Sequence, residues 1–120
     1  MSLTGNVGRV CLVSSDNCLL NQRVCKIASQ YPLFTYSFFK QEAVFQMLCN
    51  IAYGTAQLNL SPVLASKMKV FLPPEALREK YNTSVTAFYI DIQNYRDQNE
   101  KLKKQRDLLL PRLMSGKLEV

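Results

Sequence analysis

The 120-residue sequence predicts an α+β fold: a small mixed α/β unit over 4–72, then one long C-terminal coiled-coil helix in a region over 73–120. Three observations carry that expectation. Short β-rich runs separated by turn residues open the chain, a phenylalanine-rich stripe recurs at helical spacing in its middle, and a heptad fills its last third.

The first three residues are left out of the fold argument, which begins with Gly5-Asn6-Val7-Gly8. Two glycines within four residues supply the positive φ angles that a turn needs. Arg9 to Val13 is a short β-rich run, Ser14-Ser15-Asp16-Asn17 is turn chemistry, and Leu19 to Ala28 alternates, with Leu20, Gln22, Val24 and Lys26 on one face. Together they predict a β-hairpin. Cys11, Cys18 and Cys25 fall on or beside its strands, where a free thiol behaves as a small buried hydrophobe.

Pro32 suits the first turn of a helix, and Phe34, Phe38, Phe45, Leu48, Cys49 and Ala52 keep one apolar stripe on a single helix or on two short ones, ended by Gly54. That periodicity makes the rings core residues rather than a stacking platform for bases. A polar loop follows from Gly54 to Leu60. Ser61-Pro62 supplies an N-cap and a first helical residue for a short helix, and Lys69 to Leu72 reads as a strand.

Pro73-Pro74-Glu75 opens the longest element, since proline is tolerated in a first turn and Glu75 complements the positive end of the helix dipole. Tyr81, Val85, Phe88, Ile92, Tyr95, Asn99, Leu102, Arg106 and Leu109 then follow at alternating steps of four and three, which is a heptad seam. At about 1.5 Å per residue the segment 75–110 spans roughly 54 Å, longer than the preceding unit can cover. Part of the seam therefore meets a partner, unless its far end frays into solvent. Asn99 and Arg106 sit at seam positions where polar residues lower stability but fix register.

Charge and composition narrow the function. Fifteen Lys and Arg against nine Asp and Glu give +6, which favours polyanions. Residues 1–70 carry six cations and only two carboxylates, among Asn, Gln, Thr and Tyr, whereas the rest is densely charged with both signs, as a solvated helix is. With no histidine, four cysteines without a Cys-x-x-Cys pair, no Gly-rich cofactor loop and no Gly-x-x-x-x-Gly-Lys segment, the sequence predicts no metal, no cofactor and no catalysis of its own. No stretch reaches the roughly 20 apolar residues of a membrane helix, and the basic-then-apolar opening of a signal peptide is absent, which predicts a cytoplasmic protein.

Several segments, in order, match a family pattern: Gly5 to Gly8 with Val10 and Leu12; Leu20 to Val24; Ala52-Tyr53-Gly54-Thr55-Ala56-Gln57-Leu58-Asn59-Leu60-Ser61; Val70 to Pro74; and Arg106-Asp107-Leu108-Leu109-Leu110-Pro111-Arg112-Leu113-Met114-Ser115-Gly116-Lys117-Leu118. Together they resemble the DNA-specificity subunit of type I restriction-modification systems, specifically the later part of a target-recognition domain followed by the conserved helical spacer. The resemblance covers almost the whole chain. It implies a non-catalytic module that reads double-stranded DNA and positions separate methyltransferase (modification) and restriction subunits. It also implies two reading heads held apart by paired helices, so that a homodimer through the long helix supplies the second head. Residues 4–72 are about half of a complete recognition domain of that family, whose front half lies upstream of the Gly5 turn. A truncated coiled-coil adapter without independent DNA binding is the alternative.

Gln and Asn pair with adenine and Arg with guanine, while Lys, Thr and amides hold phosphates. The candidate DNA-binding residues are therefore Asn21, Gln22 and Arg23, the loop residues Tyr53, Gly54, Thr55, Gln57 and Asn59, and Lys67 and Lys69. The two clusters match segments of the family pattern shared by members that read different sequences, so their expected role is positioning. Thr55 and Gln57 serve equally well as local caps. The nine seam residues from Tyr81 to Leu109 are the candidate dimer interface.

Overall fold

A computed structural model describes residues 1–13 and 17–116. The turn expected at Ser14-Ser15-Asp16 and the Lys117-Leu118 end of the tail motif lie outside the described residues. Four helices make up the regular structure: α1 (Pro32–Lys40), α2 (Glu42–Ile51), α3 (Pro62–Ser66) and α4 (Glu75–Met114). The α+β expectation is overturned. The described residues contain no sheet, only three isolated antiparallel bridges, Ser2 to Val24, Thr4 to Asn59 and Tyr53 to Asn59.

The expected strands fail for local reasons. Within the alternating run from Leu19 to Ala28, the Arg23 N–H donates to Asn21 Oδ1 at 2.9 Å and the Val24 N–H to the Asn21 carbonyl at 3.0 Å. That Asx-type turn folds the run back on itself in its middle, and Leu19 is left fully exposed. Lys69 to Leu72 finds no ladder partner and ends against two prolines. Val70 and Leu72 instead line a cleft of about 230 Å³ with Tyr31, Phe34 and Phe38, while Phe71 is 92% exposed. Cys11 and Cys18 are exposed rather than buried, since no strand pairing covers them among the described residues, and Cys25 is half-buried.

The chain divides into two compact units, Met1–Asn82 and Thr83–Val120. In the first, Leu3, Val7, Val44, Leu48 and Leu60 form the core, with Phe38, Phe39 and Ile51 packed against it. Leu3 is thus a core residue, and the opening residues belong to the fold after all. Gly8 holds a positive φ of 78° where an added Cβ would lie 3.3 Å from Leu48 Cβ and 3.4 Å from Phe45, so the turn it makes can sit directly on α2. The phenylalanine stripe breaks at Gln41, whose extended backbone (ψ 135°) separates α1 from α2; the break lets the two short helices pack on each other. Helix α2 stops at Ile51, short of Gly54. Helix α3 begins as expected at Ser61-Pro62, although the Ser61 hydroxyl makes no capping bond.

The first turns of α4 belong to this unit, and side chains bind them to α1. Tyr31 donates its hydroxyl to Glu75 Oε1 at 3.0 Å, Tyr81 donates its hydroxyl to Ser37 at 2.9 Å, and the Tyr81 ring meets Phe34 edge-on at 6.0 Å. Asn82 Oδ1 accepts from the Leu33 N–H at 2.9 Å and the Phe34 N–H at 3.4 Å. Those are the second and third amides of α1, the donors an N-cap side chain would take, and Tyr31 at that position makes no such bond. Asn82 caps the helix from 49 residues away.

The second unit consists of the remainder of α4 and its end. None of its described residues is buried. Pro111 sits in the last turns, where it removes only the bond to the Asp107 carbonyl, and the helix runs on to Met114. Gly116, with a φ of 67°, closes it, its N–H donating to the Leu113 carbonyl at 3.1 Å. Among the described residues no helix is long and apolar enough to cross a membrane.

Candidate nucleic-acid interface

An extended thread, Met1 to Gly5, organises the polar turns of the first unit. Its front half pairs with residues 23–25: the Cys25 N–H donates to the Met1 carbonyl at 2.8 Å, and the Leu3 N–H to the Arg23 carbonyl at 2.7 Å. Its back half pairs with residues 58–60, since the Leu60 N–H donates to the Leu3 carbonyl at 2.8 Å and the Gly5 N–H to the Leu58 carbonyl at 2.9 Å. Leu3 is bonded to both, so the Asn21-Gln22-Arg23 turn and the Tyr53–Asn59 loop are brought together across one buried residue. Between them, Ser2 donates its N–H to the Arg9 carbonyl at 2.9 Å, and the Arg9 N–H donates to Ser2 Oγ at 3.0 Å.

The loop is a tight hairpin closed by reciprocal bonds between Tyr53 and Asn59, at 2.9 and 2.7 Å. Gly54 makes it possible: its φ is 118°, and a Cβ there would lie 2.2 Å from the Gln57 carbonyl oxygen. Asn59 donates its Nδ2 to that same carbonyl at 3.1 Å. Asn59 and Asn21 are therefore each held by a local side-chain bond that stabilises the turn and fixes the side chain's orientation. Gln22, Arg23, Thr55 and Gln57 are exposed, and Tyr53 is 60% exposed. Lys67 caps the C-terminus of α3 through its backbone and Lys69 lies two residues on, both exposed. The structure thus gathers two of the expected groups, the Asn21–Arg23 turn and the Tyr53–Asn59 loop, through their shared bonds to Leu3.

Sequence reasoning missed Arg9. Its guanidinium carbon stands 4.2 Å from the centre of the Phe45 ring, and it lines a cleft of about 70 Å³ with Lys40, Glu42, Phe39 and Phe45. The Gly-x-x-Gly turn directly before it was the available signal, because a glycine that packs on a helix carries its neighbour there too.

Along α4, the seam residues Phe88, Ile92, Tyr95, Leu102 and Leu109 are all exposed, as is Tyr81, and Val85 is half-buried. Asn99 is exposed, and Arg106 pairs with its neighbour Asp107 at 2.7 Å. Two facing residues, Lys103 and Glu100, form a further exposed pair at 3.1 Å. The helix thus presents an apolar stripe with polar interruptions and with nothing laid over it among the described residues of the second unit.

No family model matches the chain, and no solved structure matches it either. Among curated proteins it is 30% identical, over 122 residues, to the Type I restriction enzyme HindI specificity subunit of Haemophilus influenzae. The alignment takes in 98% of this chain and 26% of the relative, so the chain spans about a quarter of the protein it matches. The resemblance read from the ordered motifs holds: over almost its whole length the chain is similar to one segment of a type I restriction enzyme specificity subunit.

Proposed function

We propose that the chain is a DNA-recognition module of a type I restriction-modification system. It carries no catalysis of its own and presents Asn21, Gln22, Arg23, Tyr53, Gly54, Thr55, Gln57 and Asn59, with Lys67 and Lys69, to double-stranded DNA. The observation that carries this reading is the meeting of two turns rich in Asn, Gln and Arg at Leu3, in a chain akin to a specificity subunit. The turn-holding side-chain bonds of Asn21 and Asn59 support a positioning role for those two residues.

In the same reading the α4 seam from Tyr81 to Leu109 pairs with a second copy of the chain. Methyltransferase and restriction subunits are the other partners. Exposed aromatic and aliphatic residues at seven-residue spacing support that part. The decisive measurement is affinity for duplex DNA as a function of salt. A module that neutralises several phosphates loses affinity steeply, by about 0.9 in logarithmic slope per phosphate. The exposed stripe on α4 also favours a second reading, a protein-interaction adapter, for which no DNA complex forms at any salt concentration.

A further inference from the structure

We infer that Arg9 and Lys40 form a seat for one DNA backbone phosphate, in the cleft where the Gly8 turn meets the elbow between α1 and α2. This inference rests on the DNA-binding reading above and adds a site that reading does not contain. At about 70 Å³ the cleft is far below the roughly 300 Å³ at which small-molecule sites begin, so its natural occupant is the size of an ion and not of a base or cofactor.

Its charge points the same way. Two cations line it, Arg9 and Lys40, against one carboxylate, Glu42, and that carboxylate already accepts from Gln46 Nε2 at 2.7 Å along α2. Each cation also lies near an aromatic ring. Arg9 is tied to Ser2 by main-chain bonds and lies over Phe45, while the Lys40 ammonium lies 6.0 Å from the centre of the Tyr36 ring one turn back on α1. An ordered guanidinium has less freedom to lose when it takes a phosphate, and it offers a planar fork of donors suited to two phosphate oxygens. Glu42, the first residue of α2, lines the same cleft, and Gln41 before it makes no side-chain capping bond.

Position links the seat to the two polar turns. Arg9 is bonded to Ser2, the neighbour of Leu3, where the Asn21–Arg23 turn and the Tyr53–Asn59 loop meet. The Arg9 backbone is thus one residue removed from the junction of the two turns. Sequence-independent contacts of this kind set register on the duplex while base edges are read elsewhere.

The test compares the full chain with Arg9→Gln/Lys40→Gln, measuring affinity for a mixed-sequence duplex between about 50 and 200 mM salt. A control, Lys101→Gln/Lys104→Gln on α4, carries the same change in net charge. The seat predicts that the first variant loses about 0.9 from the logarithmic salt slope, and about tenfold in affinity at fixed salt, while the control keeps the wild-type slope. Because the bonds from Arg9 to Ser2 use its main chain, the variant keeps them. Lys40→Gln alone, at an exposed helix end, provides a second variant and is expected to weaken binding at fixed salt. If the wild type binds and both variants keep its slope and affinity, the seat is wrong while the DNA-binding reading stands. A wild type that binds no duplex overturns both.

Discussion

Leu48 has no exposed surface, and its Cβ and Cδ1 fill the space against Gly8 that any other residue there would contest. Leu48→Ala opens a cavity at the centre of the small core and is expected to cost about 2–5 kcal/mol, read as a lower urea midpoint with an unchanged slope. Tyr31 sets a second residue-level expectation. Its hydroxyl is held above the usual phenol value of 10.0, first by burial, then by the hydrogen bond to Glu75, and further by the charges of Glu75 and Glu79, against a smaller opposing effect of Arg78. The unfolded chain thus ionises this tyrosine at lower pH than the folded one does. Its contribution is fully present below pH 10 and is lost as pH rises through the higher folded value. Stability measured against pH should accordingly fall more steeply above pH 10 in the wild type than in Tyr31→Phe.

At the scale of elements, the most instructive contact is the cap that Asn82 gives α1. Asn82→Ala leaves the Leu33 and Phe34 amides without their acceptor and is expected to cost about 1 kcal/mol, with helical circular dichroism lost first from the first unit. On α4, Asn99→Leu replaces a polar seam residue and should raise the thermal midpoint of the assembled protein, checked by melting at a concentration where it associates. These two helices also mark what was legible in the sequence. Helix α4 was readable because heptad spacing, the Pro73-Pro74-Glu75 start and the absence of a breaker are local signals. The strands were misread because alternation such as that of Leu20, Gln22, Val24 and Lys26 specifies a strand only if a partner lies alongside. The Asn21 turn won that competition over a distance of three residues. The site divides in the same way. The polar turns were visible as composition, whereas their meeting at Leu3 and the placing of Arg9 over Phe45 depend on pairings across the chain.

For the whole molecule, the contrast between the two units is the main physical fact. The first has a core of five clustered residues, and the described part of the second buries none, although it carries Phe88, Tyr95, Leu102, Leu108 and Met114, each at least 60% exposed. Helices in proteins owe most of their stability to packing of an apolar face, so a helix of this composition is expected to associate. Light scattering over a range of concentrations should therefore give twice the chain mass, and Phe88→Asp should return it to the monomer value. Folding speed follows from a different feature, the thread at the start of the chain. Met1 bonds to Cys25 and Leu3 to Leu60, so the pairings that close the first unit span 24 and 57 residues, whereas every backbone bond within α4 is local. Contacts of large sequence separation close slowly. During synthesis, residues 1–5 must wait for residue 60 to leave the ribosome before their second edge is filled, and in refolding the helix signal of α4 should recover ahead of protection at the Leu60 amide.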